Sequence, residues 1–296
     1  MDMNIRHFDI KTPTVKAPGE GGWEQLPLGY YRMTKCLGAD RKAGDEELYS
    51  RIREAGNIAG GNFQQDCLLS ILADIKRDEV NIFELGAGWG RICLNIAGAI
   101  DFKVIPCTPT RYHCLAVEAE PVHYEWLKEH FAAQNINGMA VLGAVSNKNG
   151  SCYFDTSSRP DYQYGQAMSP LMGRSGMPSL GNLRRIITGK ATRVPMLTID
   201  RLVQKHGFDH VDIIQMDVQG AEYHAILGAA NSIKENMIDY LLINIHHEEY
   251  SQMLPVLLSD KYNLIIDLKR VSLGIVEGFP PIHCNDGIQL YKRNNL

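Results

Sequence analysis

Short apolar runs alternate with helical patterns over most of the chain. Residues 80–85 form a mainly apolar run that ends in glycine, and apolar residues then recur at helical spacing. The same succession recurs over 114–131 and 211–228. Strands that alternate with helices are typical of a mostly parallel sheet with helices on both faces, so the pattern predicts an α/β fold. Two closing strands, 264–266 and 288–291, can pair antiparallel at one edge.

The beginning of the chain departs from this pattern. Residues 1–44 are rich in Gly, Pro and charge, which indicates an extended arm that is ordered only if it lies on the body. Helical patterns follow from Asp45 and over 68–75. We therefore assign 1–62 to an N-terminal extension and helical arm, and 63–296 to one domain.

A long insertion interrupts the domain at residues 155–193. It is rich in Ser, Pro, Gly and Met, and it carries Tyr162, Tyr164, Met168, Met172 and Met177. A loop of this length in a compact domain is functional or disordered. Aromatic and methionine side chains suit an adaptable lid over an organic substrate. A lid and a merely flexible insertion are the two interpretations.

Composition narrows the class of protein. The chain has 296 residues, 45% hydrophobic and 22% charged, and a net charge of −4. It has no Lys/Arg block, so charge gives no support for a nucleic-acid partner. Seven cysteines without a C-x-x-C are typical of reduced thiols in a cytosolic protein. No signal peptide or membrane-spanning run is visible, so we expect a cytoplasmic protein with no membrane partner, and a homo-oligomer is compatible with the sequence.

A glycine turn follows the strand over 80–85. Gly86, Gly88 and Gly90 alternate directly before a helical pattern. Glycine lets a ligand approach the backbone and tolerates positive φ. The dinucleotide fingerprint G-x-G-x-x-G fails here, because its third glycine is replaced by Arg91 in one register and by Cys93 in the other. The phosphate-binding G-x-x-x-x-G-K-[ST] is absent from the sequence.

An acid stands two residues ahead of the turn. The carboxylate of Glu84, at the end of the strand, would repel a pyrophosphate but suits a cationic ligand. S-adenosylmethionine carries a sulfonium and an ammonium group, so it is the ligand that this stretch favours. A structural glycine turn beside a surface glutamate is the alternative interpretation.

The next predicted strand ends in a second pair of acids. Glu118 closes the strand, and Glu120 stands directly before Pro121, which opens a helix. A carboxylate at the tip of the second strand can hold a ribose diol. Two solvated strand-end acids are the alternative. After the third strand, the small residues 143–146 suit an adenine that rests against the backbone.

Two stretches resemble known methyltransferases. Glu84-Leu-Gly-Ala-Gly-Trp-Gly90, with Glu118, is similar to the cofactor signature of class I S-adenosylmethionine-dependent methyltransferases. Val211-Asp-Ile-Ile-Gln-Met-Asp-Val-Gln-Gly-Ala-Glu222, with Leu227-Gly-Ala229, resembles the FkbM family, whose second strand ends in a motif that matches residues 117–121. The chain departs from that family at Gln215, where Lys is usual, and at Gln219 and Asn244, where Glu is common.

The resemblance implies a Rossmann-like class I methyltransferase fold, with a mostly parallel seven-stranded sheet, helices on both faces and an antiparallel edge strand. It implies O-methylation of a small molecule or sugar, and it gives the ribose role to Glu118 over Glu120. The predicted cofactor-binding residues are Glu84, Gly86, Ala87, Gly88, Glu118, Ala119, Ala144 and Asp217.

Removal of a hydroxyl proton requires a base near neutral pKa. Candidates lie at the carboxyl ends of the strands, where Asp217 closes the fourth strand and His246 and His247 close the fifth. We predict His246 as the base, with Asp217 orienting it or binding the acceptor; Asp217 can equally cap the following helix. His247-Glu248 lacks the second His of H-E-x-x-H, so no metal is predicted.

The sequence is compatible with three functions. The main hypothesis is an O-methyltransferase that acts on a small-molecule or glycan acceptor. A catalytically silent module that binds S-adenosylmethionine is the second, motivated by the carboxylates replaced at Gln219 and Asn244. A nicotinamide enzyme is the third, and the failed dinucleotide fingerprint disfavours it.

Overall fold

The computed structural model describes residues 3–166, 168–169 and 180–296. The strands are β1 (Trp23–Gln25), β2 (Tyr31–Met33), β3 (Ile58–Ala59), β4 (Glu79–Leu85), β5 (Arg111–Glu118), β6 (Gly138–Leu142), β7 (Ala144–Val145), β8 (Gly150–Asp155), β9 (Met168–Ser169), β10 (Ala191–Leu197), β11 (Val211–Met216), β12 (Ile238–Ile245), β13 (Tyr262–Leu268), β14 (Ser272–Gly274), β15 (Ile282–Cys284) and β16 (Gly287–Arg293). The helices are α1 (Ala39–Glu54), α2 (Gly60–Asp74), α3 (Arg91–Asp101), α4 (Pro121–Ala133), α5 (Leu180–Ile187), α6 (Ile199–His206), α7 (Glu222–Leu227), α8 (Ala230–Lys234) and α9 (Glu248–Leu258).

A seven-stranded sheet in the order β13-β16-β12-β11-β4-β5-β6 forms the centre of the fold. All its pairings are parallel except those of β16, which runs antiparallel to both β12 and β13. The predicted Rossmann-like class I fold is therefore confirmed. The two closing strands pair at one edge as expected, with the antiparallel strand one place in from the outermost.

Both faces of this sheet are buried. In β4, Val80 and Ile82 pack into one hydrophobic core, whereas Phe83 and Leu85 pack into the other. Alternate side chains of a strand point to opposite faces, so an unbroken apolar run fits a strand that is covered on both sides. The carboxyl ends of β4, β5, β11 and β12 meet at one edge, and the candidate site forms there.

The N-terminal arm lies on the body. Met3, Ile5 and Leu28 are buried in the same core as helices α2 and α3. Strand β3 pairs with β15, near the other end of the chain. Helix α2 crosses residues 62 and 63, where we placed the boundary between arm and domain; that division stays a prediction.

The insertion over 155–193 contains regular structure in its described parts. Strand β9 pairs with β8, and β10 joins β8 and β7 in a small second sheet. Helix α5 precedes β10. Met172 and Met177 lie outside the described residues. Within the part of the chain that the structure describes, no helix is long and apolar enough to cross a membrane.

Candidate active site

The glycine turn between β4 and α3 has two different tasks. Gly86 has φ +79°, and a Cβ there would lie 1.9 Å from the backbone oxygen of Asp217. Glycine is needed at this position because the loop after β11 approaches so closely. Gly88 has φ +56°, and the nearest atoms to an added Cβ are ring carbons of Tyr164 at 3.5 and 3.6 Å. No backbone atom crowds this position, and Gly88 lines the cavity described below.

Glu84 holds the start of helix α3. Its two carboxylate oxygens accept hydrogen bonds from the backbone N–H groups of Ile92 and Cys93, each at 2.9 Å. A carboxylate at this end of a helix satisfies orphan donors and complements the helix dipole. Burial raises the pKa of Glu84 to about 7, although both hydrogen bonds favour the charged form. The side chain is 2% exposed, so it is no surface glutamate; direct contact with a cationic ligand stays a prediction.

The two acids after β5 are placed differently. Glu118 accepts hydrogen bonds from the backbone N–H groups of Gly88 at 2.6 Å, Glu120 at 2.7 Å and Ala119 at 2.8 Å. Burial raises the pKa of Glu118 to about 7, against the effect of these donors. Glu120 instead caps helix α4, since its Oε2 accepts from the N–H of His123 at 2.8 Å. Glu118 thus ties the tip of β5 to the glycine turn, where a ligand would lie.

A cavity opens between these loops. Its volume is about 190 Å³, and it opens to solvent between the loops. All eight predicted cofactor residues line it: Glu84, Gly86, Ala87, Gly88, Glu118, Ala119, Ala144 and Asp217. The sequence therefore predicted which residues form the wall, while the contact of each with the cofactor stays a prediction.

Glu118→Ala should weaken binding of S-adenosylmethionine by about tenfold or more, because a hydrogen bond to a charged group contributes roughly 1.5–3 kcal/mol. Glu120→Ala should mainly cost stability, about 1 kcal/mol for a lost helix cap. Calorimetric titration of both variants measures the two effects. Glu118→Gln keeps one acceptor oxygen and should lose less affinity than Glu118→Ala. An equal loss of S-adenosylmethionine affinity in Glu118→Ala and Glu120→Ala would refute the assignment of Glu118 to the ribose.

Asp217 follows β11 and faces the cavity, with 34% of its side chain exposed. The side-chain amides of Gln219 and Asn244 donate to its two oxygens, each at 3.0 Å. Gln64 in turn donates to Asn244 at 2.6 Å. The two positions where the family commonly has Glu therefore hold Asp217 with amide donors. Helix α7 has no side-chain cap, so Asp217 is not the helix cap that was the alternative.

His246 lies behind Asp217 and is 11% exposed. Its Nδ1–H donates to Glu222 Oε1 at 2.7 Å, and its Nε2 lies 3.3 Å from Asp217 Oδ1 and 3.9 Å from Asp286 Oδ2. Burial alone would lower the pKa of His246, but Glu222 and the carboxylates of Asp217 and Asp286 raise it overall. Burial raises the pKa of Asp217, and His246 opposes that shift. The buried carboxylate of Glu222 thus orients the imidazole, and Nε2 faces the partly exposed carboxylate of Asp217.

His247 points away from this group. It is exposed, its ring lies 5.2 Å from that of Tyr250, and a Cβ on Gly220 would meet its Nε2 at 2.4 Å. His246 therefore contacts Asp217, and His247 faces the loop before α7; the role of His246 as the base stays a prediction.

Glu222, Tyr164 and His123 are site residues that the sequence did not assign. Glu222 is fully buried, and its only sequence signal is its place at the end of the 211–222 block. Tyr164, from the insertion, stacks on His123 with ring centroids 4.3 Å apart, and both line the cavity. The Tyr164 hydroxyl donates to the backbone oxygen of Cys36. The insertion and the N-terminal arm therefore meet over the cofactor cavity.

One group within the described residues has the spacing of a metal site: His210, Asp212 and Asp239. It lies at the amino ends of β11 and β12, opposite the cavity. Arg77 donates to both carboxylates, and Arg293 donates to Asp239 at 2.8 Å. Cationic side chains already neutralise these acids, so the group is a structural ion-pair network.

The sequence profile of the methyltransferase FkbM domain matches residues 95–264, more than half of the chain. Among solved structures, the METTL16 methyltransferase domain is 10% identical, with 92% of this chain and 86% of that chain covered and a TM-score of 0.45. The C-terminal domain of precorrin-6Y C5,15-methyltransferase from Rhodobacter capsulatus is 9% identical, over 79% and 89%, with a TM-score of 0.39. M. capricolum TrmK in complex with S-adenosyl-homocysteine is 8% identical, over 77% and 68%, with a TM-score of 0.40. No curated protein matches the chain significantly.

Proposed function

Because this chain belongs to the FkbM family of methyltransferases, we propose that it methylates a hydroxyl group of a small molecule or sugar. The observation that carries the proposal is the contact chain Glu222–His246–Asp217, with Asp217 in the wall of the cofactor cavity. A buried carboxylate, an imidazole and a cavity-facing acid provide what a hydroxyl acceptor needs, which is a route for its proton.

S-adenosylmethionine is the cofactor of this methyltransferase. The residues fit it. Gly88 has no side chain to fill the cavity that it lines, and Glu118 keeps about one acceptor site beyond its three backbone donors, with which it can accept a hydrogen bond from a ribose hydroxyl. The carboxylate of Asp217, which faces the cavity, suits a ligand with cationic groups. When bound, S-adenosylmethionine supplies an electrophilic methyl group on a sulfonium.

The residues contribute alignment and proton removal. Asp217 faces the cavity and accepts the hydrogen bond of the acceptor hydroxyl, and His246 Nε2, 3.3 Å behind it, takes up the proton. Glu222 is a positioning residue, because its bond to Nδ1 leaves Nε2 as the nitrogen that is free to be protonated. An acceptor that is held in one orientation also lowers the barrier to methyl transfer, because its hydroxyl oxygen is already aligned with the methyl group.

The contacts of Gln219 and Asn244 argue against a silent binding module. Both amides donate to Asp217, so the replacement of two family carboxylates leaves this acid held and oriented. A carboxylate at either position would place two negative charges in contact. These replacements therefore change the charge around Asp217 and preserve its place.

Transfer of a labelled methyl group tests the proposal. The protein is incubated with methyl-labelled S-adenosylmethionine and small-molecule, glycan and RNA fractions, and the products are identified by mass. We expect label in a methyl ether of a small molecule or sugar. Label in RNA, or on nitrogen or carbon, would contradict the acceptor class. Cofactor binding without transfer to any fraction would identify a silent module.

A further inference from the structure

A second cavity adjoins the cofactor cavity. The two share Trp89, Arg91 and Tyr164 in their walls. The second cavity extends from there between helix α1 and the segment between β15 and β16, and Asn244 and Asp286 line it. Asn244 touches Asp217, and Asp286 lies 3.9 Å from His246 Nε2. This cavity therefore ends beside the residues that would receive the acceptor's proton.

Hydrogen-bonding capacity in its wall is left unused among the described residues, by the whole guanidinium of Arg91 and by one nitrogen atom each of Arg32 and His283. Arg91 is half-buried and makes no hydrogen bond or ion pair with any residue that the structure describes. Arg32 Nε and His283 Nδ1 are buried atoms, again without a partner within the described residues. Buried donors without partners are costly, and such groups are typically satisfied by a ligand or water.

The wall of the second cavity keeps an excess of positive charge after its ion pairs are taken into account. Arg41 is paired with Asp45 at 3.0 Å, and Asp286 lies 3.7 Å from Arg270. Arg32 shares Glu24 with Lys42, at 2.6 and 3.1 Å, so one acid faces two cations. Arg91 adds a charge that forms no ion pair in the described structure, although it favours the charged forms of Glu84 and Asp217 in the adjoining cavity. An anionic group would be attracted here, and guanidinium groups bind carboxylate and phosphate well.

We infer that the second cavity is the acceptor site and that it selects an acceptor with an anionic group, a carboxylate or a phosphate, in addition to the hydroxyl. Arg32 and Arg91 bind the anion, and the hydroxyl lies toward Asp217. The inference rests on the proposed function for the role of the cavity, while anion binding itself can be measured without turnover.

Binding of small anions tests it. The protein, saturated with S-adenosylhomocysteine, is titrated calorimetrically with inorganic phosphate and with acetate, at an ionic strength held constant with sodium chloride. We expect at least one of the two to bind with a millimolar Kd, and which one binds more tightly distinguishes phosphate from carboxylate. Arg32→Gln and Arg91→Gln should each weaken that binding tenfold or more.

Arg53→Gln is the matched control, since Arg53 is exposed on α1 and should leave the affinity unchanged. Absence of binding by both anions, or unchanged affinity in Arg32→Gln and Arg91→Gln, would overturn the inference. An Arg91→Gln protein that loses only S-adenosylhomocysteine affinity would assign Arg91 to the cofactor and overturn it as well. Methyl transfer without anion binding contradicts this inference alone; anion binding without transfer contradicts the proposed function alone.

Discussion

Gly88→Val should abolish measurable binding of S-adenosylmethionine, with a Kd at least a hundredfold higher than that of the unchanged protein. An added Cβ would project into the cofactor cavity, 3.5 Å from the Tyr164 ring, and the two methyl groups of valine would fill the space beyond it. Gly88 is also at φ +56°, which a β-branched residue rarely adopts. Calorimetric titration with S-adenosylmethionine measures the effect.

Gly207→Val separates the loss of space from the backbone strain. Gly207 has φ +70°, but nothing lies within 4 Å of an added Cβ, and the residue ends helix α6 away from the cavity. This variant should lose stability and keep its cofactor affinity. If Gly88→Val binds S-adenosylmethionine normally, or if NADH binds the unchanged protein in its place, the assignment of this cavity is wrong.

His246→Ala should reduce turnover by about 100-fold or more, the usual scale for general-base catalysis. Cofactor affinity should barely change, because His246 lies behind Asp217 and outside the wall of the cofactor cavity. Single-turnover methyl transfer to the identified acceptor measures the rate. His247→Ala is the control, and it should be nearly normal because that ring faces Gly220 and Tyr250.

The pH dependence of this reaction has a definite sign. Only the neutral imidazole can take a proton, and the surrounding carboxylates raise the pKa of His246 above its ordinary value of about 6.5. Wild-type kcat/KM should therefore rise with pH through an ionisation above that value. Glu222→Gln should move the ionisation to lower pH, which a merely structural contact would not do. A normal rate in His246→Ala together with an inactive Asp217→Asn would make Asp217 the base.

The sequence was sufficient for features that depend on neighbours along the chain. A continuous apolar strand, alternating glycines and a helical pattern indicate a turn that a ligand can approach, and this predicted the cavity wall at Gly88. The helix-starting Pro121 likewise marked the first residue of α4, whereas the preference for Glu118 over Glu120 came from the family resemblance. These inferences hold because backbone conformation and capping are decided within a few residues.

The packing of distant elements determines which side chains meet across the sheet. Glu222 and His246 are 24 residues apart, and Gln64 lies 180 residues from Asn244, yet both pairs are in hydrogen-bond contact. The sequence also could not show that the carboxylate of Glu84 is occupied by backbone donors, or that the N-terminal arm helps form a second cavity. Such contacts depend on how separate elements pack on the common sheet. Local propensity and periodicity carry no information about that packing.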